Sequence, residues 1–325
     1  MKQPPVPRPD VYDLYWRFAA ERHAIFEKRL AGVPAPWTDD EVLRTYKFCN
    51  VFRATDRVSQ YLIQHVIYCE DRPSREDLLF QIVAFRLFSR ESTWGGLRRL
   101  LKRAPVIDDL ASGAFEAAIV ELRNTQSPIY TNAFILCAND AYGRGSKALN
   151  HVELLKDMFL YHDLAGDLLG AESLQRVFEL LRAYPLFGNF MAYQTAIDLN
   201  YSEYINFDED DFVKAGPGAL RGINKCFESL GDYSPEEVIQ WMVQHQDADF
   251  ERLGLPFDGL FGRKLHAIDA QGLFCETDKY ARVAMPALKS ARVRMKQKFV
   301  PQQLPRRVVI PPKWHLIVPA VADKR

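Results

Sequence analysis

The chain has 325 residues, 48% of them hydrophobic, and balances 42 Lys and Arg against 42 Asp and Glu. That length can hold one large domain or two modest ones around a real core, so the chain is read as globular. No run of about 18 apolar residues occurs, and the start Met-Lys-Gln-Pro-Pro-Val-Pro-Arg-Pro lacks the apolar stretch of a secretory signal, so a cytoplasmic protein without a membrane segment is expected.

Helical periodicity dominates and no long alternating run demands a sheet, so the expected class is all-α. Residues 10–31 form an aromatic-rich amphipathic helix carrying Tyr12, Tyr15, Trp16, Phe18 and Phe26, which ends near Gly32 and Pro34. Thr38-Asp39-Asp40-Glu41 then supplies a cap with acids in the first turn and opens a helix through about residue 53. Another runs from Asp56 to about Tyr68. Ser74 caps an apolar helix over Leu78 to Phe88, and Thr93-Trp94-Gly95-Gly96 starts the next. Residues 107–123, 147–162 and 171–184 continue the series.

The stretch from Tyr184 to Asp198, Tyr-Pro-Leu-Phe-Gly-Asn-Phe-Met-Ala-Tyr-Gln-Thr-Ala-Ile-Asp, reads as a helix-hairpin-helix with two substitutions. Gly188 and Ala192 keep the second glycine and the small packing residue, whereas Leu186 stands where the first glycine is expected. The helix N-terminus at Gly188 and Asn189 would present N–H groups to a nucleic-acid phosphate. An ordinary helix start after a turn is the competing reading. Further on, Gly216-Pro217-Gly218 feeds a helix with Arg221 on its first turn, a geometry that suits phosphate as well as a plain junction. Ser234-Pro-Glu-Glu begins a helix over Val238 to Gln246, and the last helical region covers 269–282.

Residues 289–325 carry ten of the basic residues (Lys289, Arg292, Arg294, Lys296, Lys298, Arg306, Arg307, Lys313, Lys324, Arg325) against one acid, Asp323. Five prolines there make it extended, with Trp314 available for docking; an arm along a phosphate backbone and a solubilising terminus both fit. The five cysteines (Cys49, Cys69, Cys137, Cys226, Cys275) are scattered, without a Cys-x-x-Cys pair. They are read as reduced, and no metal or cofactor is expected.

Two segments concentrate polar chemistry. In 269–282, helical spacing puts Gln271 with Cys275, Glu276 near Lys279 and Tyr280, and Asp278 near Arg282. Surface ion pairing and an acid–base pair on a cleft floor are both compatible with it. Asn50 and Arg53, one turn apart on the expected helix, would need partners if buried. Asn50 suits a base edge or an internal network, and Arg53 suits a phosphate or a carboxylate. Asp269, Glu276 and Lys279 are expected to share a cleft with Asn50 and Arg53, and the Gly188 and Gly216-Pro-Gly218 turns to share one DNA-facing surface.

Taken together, Phe48-Cys-Asn-Val-Phe-Arg53 with Asp56-Arg57, Phe85-Arg86-Leu-Phe88 with Thr93-Trp94, Gly188-x-Phe-x-Ala-Tyr-Gln194 with Asp198-Leu199, Ala215-Gly-Pro-Gly-Ala-x-x-Gly222, and Asp269-x-Gln-x-x-x-Cys-Glu-x-Asp-Lys-Tyr280 resemble the alpha-glutamyl/putrescinyl thymine pyrophosphorylase family. Its members include the helical domain of 5-hydroxymethyluracil DNA kinases and the amino acid:DNA transferases of bacteriophages. The resemblance runs from about Trp37 to Pro286 and implies a DNA-glycosylase-like helical fold, with an N-terminal helix (1–36), a catalytic domain (37–288) and a basic tail (289–325). It also implies replacement of a pyrophosphorylated 5-hydroxymethyluracil substituent in double-stranded DNA by an amine or amino acid, after a separate kinase has acted. The chain has no Gly-x-x-x-x-Gly-Lys-[Ser/Thr] loop, so it is not read as that kinase.

On this reading Asp198, Asp269 or Glu276 take the amine proton, while Arg53 and Lys279 neutralise the leaving group. Asn50, Arg53, Asp56, Tyr193, Gln194 and Gln271 would line the substrate, and Gly188, Asn189, Gly216, Gly218 and Arg221 would meet DNA. The runner-up is a helix-hairpin-helix glycosylase acting on a modified pyrimidine, for which Asp208, Asp210 and Asp211 stand at the right interval after the hairpin.

Overall fold

The computed structural model describes residues 2–126, 128–131, 140–288, 295, 297–302 and 308–319. Apart from one two-stranded antiparallel pair, β1 (Val6–Pro7) with β2 (Phe227–Ser229), the regular structure among the described residues is helical, in keeping with the all-α expectation. The chain divides into two compact units, one made of Met1–Asp56 with Phe212–Arg325 and the other of Arg57–Asp211.

The first unit contains α1 (Pro9–Leu30) and α2 (Glu41–Thr45). The second contains α3 (Arg57–Leu62), α4 (Arg75–Phe88), α5 (Glu91–Leu101), α6 (Ile107–Ala111), α7 (Ala114–Thr125), α8 (Lys147–Lys156), α9 (Leu164–Leu169), α10 (Leu174–Arg182) and α11 (Asn189–Leu199). The chain then re-enters the first unit with α12 (Pro217–Cys226), α13 (Pro235–Arg252) and α14 (Ala267–Ala284).

The first unit is built on aromatic contacts that follow from the spacing of α1. Tyr12, Tyr15 and Trp16 fall on one face and meet Phe227, Phe274 and Phe250, with Tyr15–Phe274 and Trp16–Phe250 ring centroids 4.8 and 5.0 Å apart. Such edge-on and tilted pairs add to the burial of large apolar rings. Helix α13 starts on a reciprocal cap, in which the Ser234 hydroxyl accepts from the Glu237 N–H at 3.2 Å and the Glu237 carboxylate accepts from the Ser234 N–H at 2.8 Å.

Glycines bring α12 onto α14. A Cβ added at Gly222 would lie 2.0 Å from the Phe274 carbonyl oxygen, and one at Gly218 would lie 2.4 Å from Cys275 Sγ. Spaced four residues apart, the two glycines line one face of α12, and only a residue without a side chain fits there.

The second unit centres on α4, buried from Leu78 to Phe88, with Phe80 against Phe115 and Phe85 against Trp94. Its core holds an ion pair between the Arg86 guanidinium and the Asp198 carboxylate of α11, both fully buried. Helices α10 and α11 pack on each other through a short turn. Within that turn Leu186 has φ +72°, the left-handed conformation that a glycine in its place would adopt without strain.

One expected helix is shorter than its sequence signals suggest. Asp40 does cap α2 by accepting from the Leu43 N–H, but α2 ends at Thr45 and does not continue to residue 53. Asn50 and Arg53 are therefore not one helical turn apart. Tyr46 instead forms a bridge to Lys298, the Phe299 N–H donates to the Thr45 carbonyl at 2.8 Å, and Arg53–Thr55 makes a single tight turn.

The described pieces of residues 289–325 carry no regular structure apart from the bridge at Lys298 and a short turn at Pro312–Trp314. Val308 and Ile310 are buried, and the Arg263 guanidinium sits 3.8 Å from the Trp314 ring centroid. Cys137 and the basic residues Lys289, Arg292, Arg294, Lys296, Arg306, Arg307, Lys324 and Arg325 lie outside the described residues.

Candidate functional site

The site lies in the first unit, where the irregular segment 46–56 runs against the buried face of α14. Helical spacing on α14 puts Asp269 and Glu276 two turns apart on the same side, each about 5% exposed. Asp269 Oδ1 accepts from the Arg53 N–H at 2.9 Å and Oδ2 from the His266 N–H at 3.2 Å, so one carboxylate both caps α14 and holds the turn at 53. Glu276 Oε2 accepts from the Cys49 N–H at 3.3 Å, and its Oε1 meets Lys279 Nζ at 2.5 Å.

Asn50 closes this segment on itself. Its N–H donates to Asp56 Oδ1 at 2.8 Å, its Nδ2 donates to the Thr55 carbonyl at 2.8 Å, and its Oδ1 accepts from Arg22 Nη2 at 2.5 Å. Local side-chain bonds of this kind compete with helix formation, and with N–H groups drawn to the α14 carboxylates they account for the early end of α2.

Electrostatics separate the roles of these groups. Burial, reinforced by the nearby Glu276 charge, pushes the Asp56 carboxyl up to about 6, although the Asn50 N–H and the Arg22 and Arg53 charges pull the other way. Burial alone would lower the Lys279 ammonium, but the adjoining Glu276 carboxylate reverses this and the net shift is upward. Lys279 is thus a fixed cation, whereas Asp56 is poised to exchange a proton near neutrality.

Asp269 and Glu276 meet the segment that carries Asn50 and Arg53 through main-chain N–H groups at 49 and 53 and not through two helix faces, and Lys279 joins them through Glu276. Gln271 is buried on the same helix. Tyr193, Gln194 and Asp198 belong to the second unit, all buried in α11, where the Asp198 carboxylate is engaged by Arg86.

Of the proposed DNA contacts, Gly188 caps α11 with open space where a Cβ would stand, and Asn189 accepts from Arg182 Nε at 2.9 Å. Gly216 caps α12, Gly218 serves the close approach to α14, and Arg221 Nε lies 3.1 Å from the buried Asp278 carboxylate. Asp278 also meets Lys225 at 3.0 Å and Arg282 at 2.5 Å. Burial would raise its carboxyl, but these three cations outweigh that and hold it below its ordinary range. The Gly188 and Gly216-Pro-Gly218 turns fall in different units.

Sequence reasoning missed Arg22. Its signal was present, since an arginine three residues after Ala19 and Ile25 three beyond it place Arg22 on the apolar stripe of α1, where a cation needs a reason to be.

These features define an all-helical protein with a carboxylate–lysine cluster on its last long helix. Residues 9–290 match the family model described as 5-hmdU DNA kinase, helical domain, and the chain belongs to that family. It is 29% identical over 287 residues to a 5-hmdU DNA kinase of Bacillus phage SP10, a stretch that covers 83% of this chain and 45% of that relative. The chain therefore spans less than half the length of the curated relative it matches. No solved structure matches it.

Proposed function

We propose that this chain acts in 5-hydroxymethyluracil DNA modification and replaces an activated, pyrophosphorylated 5-substituent of the base with an amine or amino acid. The observation that carries this reading is the Asp56–Glu276–Lys279 cluster, which couples a carboxyl near 6 to a fixed cation within the family-matched region. In the reaction the bond from the C5 methylene to oxygen breaks and pyrophosphate leaves with the electron pair. The amine nitrogen bonds to that carbon and gives up its proton, for which the Asp56 carboxylate is the acceptor. Lys279, and Arg53 on the facing segment, offset the charge that develops on the leaving group.

The reactive carbon is reached by extruding the base from the stack, and the α10–α11 turn, read as a helix-hairpin-helix, is the proposed phosphate contact. The test is mass spectrometry of nucleosides after the chain is incubated with DNA bearing the pyrophosphorylated base and a set of amines. An enlarged base with released pyrophosphate is expected. A free base with an abasic site would instead establish a glycosylase.

A further inference from the structure

We propose that Arg22 is a positioning residue of the candidate site and acts on Asp56 through the side chain of Asn50. Its place on α1 calls for such a role, because Arg22 lies on the buried stripe of the helix beside Ala19, Ile25 and Phe26 and is itself buried. A guanidinium there costs more than the aliphatic side chain that would fill the same space, and burial lowers its hold on its proton. Its partners are an amide oxygen and a main-chain carbonyl: Nη2 donates to Asn50 Oδ1 at 2.5 Å and to the Phe48 carbonyl at 3.5 Å.

A side-chain amide can present its oxygen or its nitrogen to a neighbour in two orientations of nearly equal shape. A guanidinium has donors only, so Asn50 must turn Oδ1 toward Arg22, which sends Nδ2 to the Thr55 carbonyl at 2.8 Å. That carbonyl belongs to the peptide joining Thr55 to Asp56. The Asn50 N–H reaches Asp56 Oδ1 at 2.8 Å, so Asp56 is held both at its main-chain end and at its carboxyl. The Arg22 cation also faces Asp56 from α1, while Glu276 faces it from α14 and Cys49 and Arg53 from its own segment. Burial and Glu276 raise the Asp56 carboxyl, and the Asn50 N–H, Arg22 and Arg53 oppose them. Removing Arg22 therefore takes away one opposing charge and loosens the residue that supplies the opposing N–H. The consequence for transfer rests on the reading of Asp56 as the proton acceptor, whereas the hold of Arg22 on Asp56 does not.

A carboxyl-carbon NMR titration of Asp56 in the full chain, its signal assigned with Asp56→Asn, tests this beside a pH–rate profile of transfer. The Asp56 midpoint lies at about 6 in the parent chain. It should rise by about one pH unit in Arg22→Met, which fits the apolar stripe but has neither charge nor donor, and also in Asn50→Ala, which breaks the relay with Arg22 in place. Arg22→Lys keeps the charge without the planar fork and should give a smaller rise. Arg44→Ala, which removes a cation of α2 outside this relay, should not move it. Circular dichroism checks the fold of each variant, and Asn50→Ala with Arg22→Lys carries the test if Arg22→Met does not fold. An unchanged midpoint in Asn50→Ala or in Arg22→Met, or an equal rise in Arg44→Ala, would overturn the proposal. A midpoint that rises while the rate profile stays where it was upholds the role of Arg22 and removes Asp56 from the transfer reaction.

Discussion

Asp56 joins the folded state to the proposed chemistry through one proton. Its carboxyl is raised from 3.8 to about 6, so the folded chain holds that proton more tightly than the unfolded chain does. The contribution of this group to stability is therefore greatest below pH 3.8, falls as pH rises to about 6, and is level above that. As an amine-proton acceptor it must be ionised, so the transfer rate should rise through an apparent value of about 6. Asp56→Asn should lower the rate by roughly 10²–10⁴-fold and flatten that limb in a pH–rate profile, while thermal unfolding at neutral pH shows no loss of stability. A mutant that keeps the limb would return Asp56 to a purely structural role. Leu186, at φ +72°, makes a second residue-scale case. Leu186→Gly should leave the melting temperature nearly unchanged, because relief of left-handed strain offsets the added chain entropy. Leu186→Ile should destabilise by about 1–2 kcal/mol, since a β-branched side chain fits that conformation worst.

Helices α12 and α14 show how backbone contact sets tolerance at the level of elements. Gly222→Ala would drive a Cβ into the main-chain oxygen of Phe274, which has no way to yield short of moving a helix, and should cost about 3 kcal/mol. Gly218→Ala meets the Cys275 thiol first, so the double mutant Gly218→Ala/Cys275→Ala should recover most of the loss, whereas Cys275→Ala should not rescue Gly222→Ala. Chemical denaturation of the four variants reads this directly. The helices that sequence reasoning recovered, such as α1, α4, α13 and α14, are those whose apolar period or reciprocal cap is written locally. The segment 46–56 was misread because its conformation is set by Glu276 and Asp269, more than 200 residues away in the chain. Of the candidate site, Glu276 with Lys279 and Asp278 with Arg282 were legible because helical spacing alone brings them together. Arg221 was legible as a cation but not as a partner of Asp278, since that contact depends on how α12 lies on α14.

At the scale of the whole molecule, the formal charge of zero means that any attraction to DNA must come from where charges stand and not from their sum. Affinity for duplex DNA should fall steeply with salt if phosphate contacts carry it. Arg221→Ala separates surface attraction from internal cohesion. Because Arg221 spends its charge on the buried Asp278, the variant should lower the melting temperature while changing the salt slope of DNA binding little. A mutant with native melting behaviour and a reduced slope would instead make Arg221 a phosphate contact. Either outcome is read from melting curves and binding isotherms measured over a salt series.

The amides of Cys49, Asn50 and Arg53 donate to the carboxylates of Glu276, Asp56 and Asp269, although none of the three belongs to a strand or to an α-helix. In hydrogen–deuterium exchange these three positions should behave like a fragment of regular structure, with slow exchange inside a stretch that otherwise looks like loop. Protection at Asn50 should weaken as pH falls through about 6, where the Asp56 carboxylate that accepts its N–H takes up a proton. Because what α14 grips at 49 and 53 includes the main-chain N–H, proline, which has none to offer, should not be tolerated at either position.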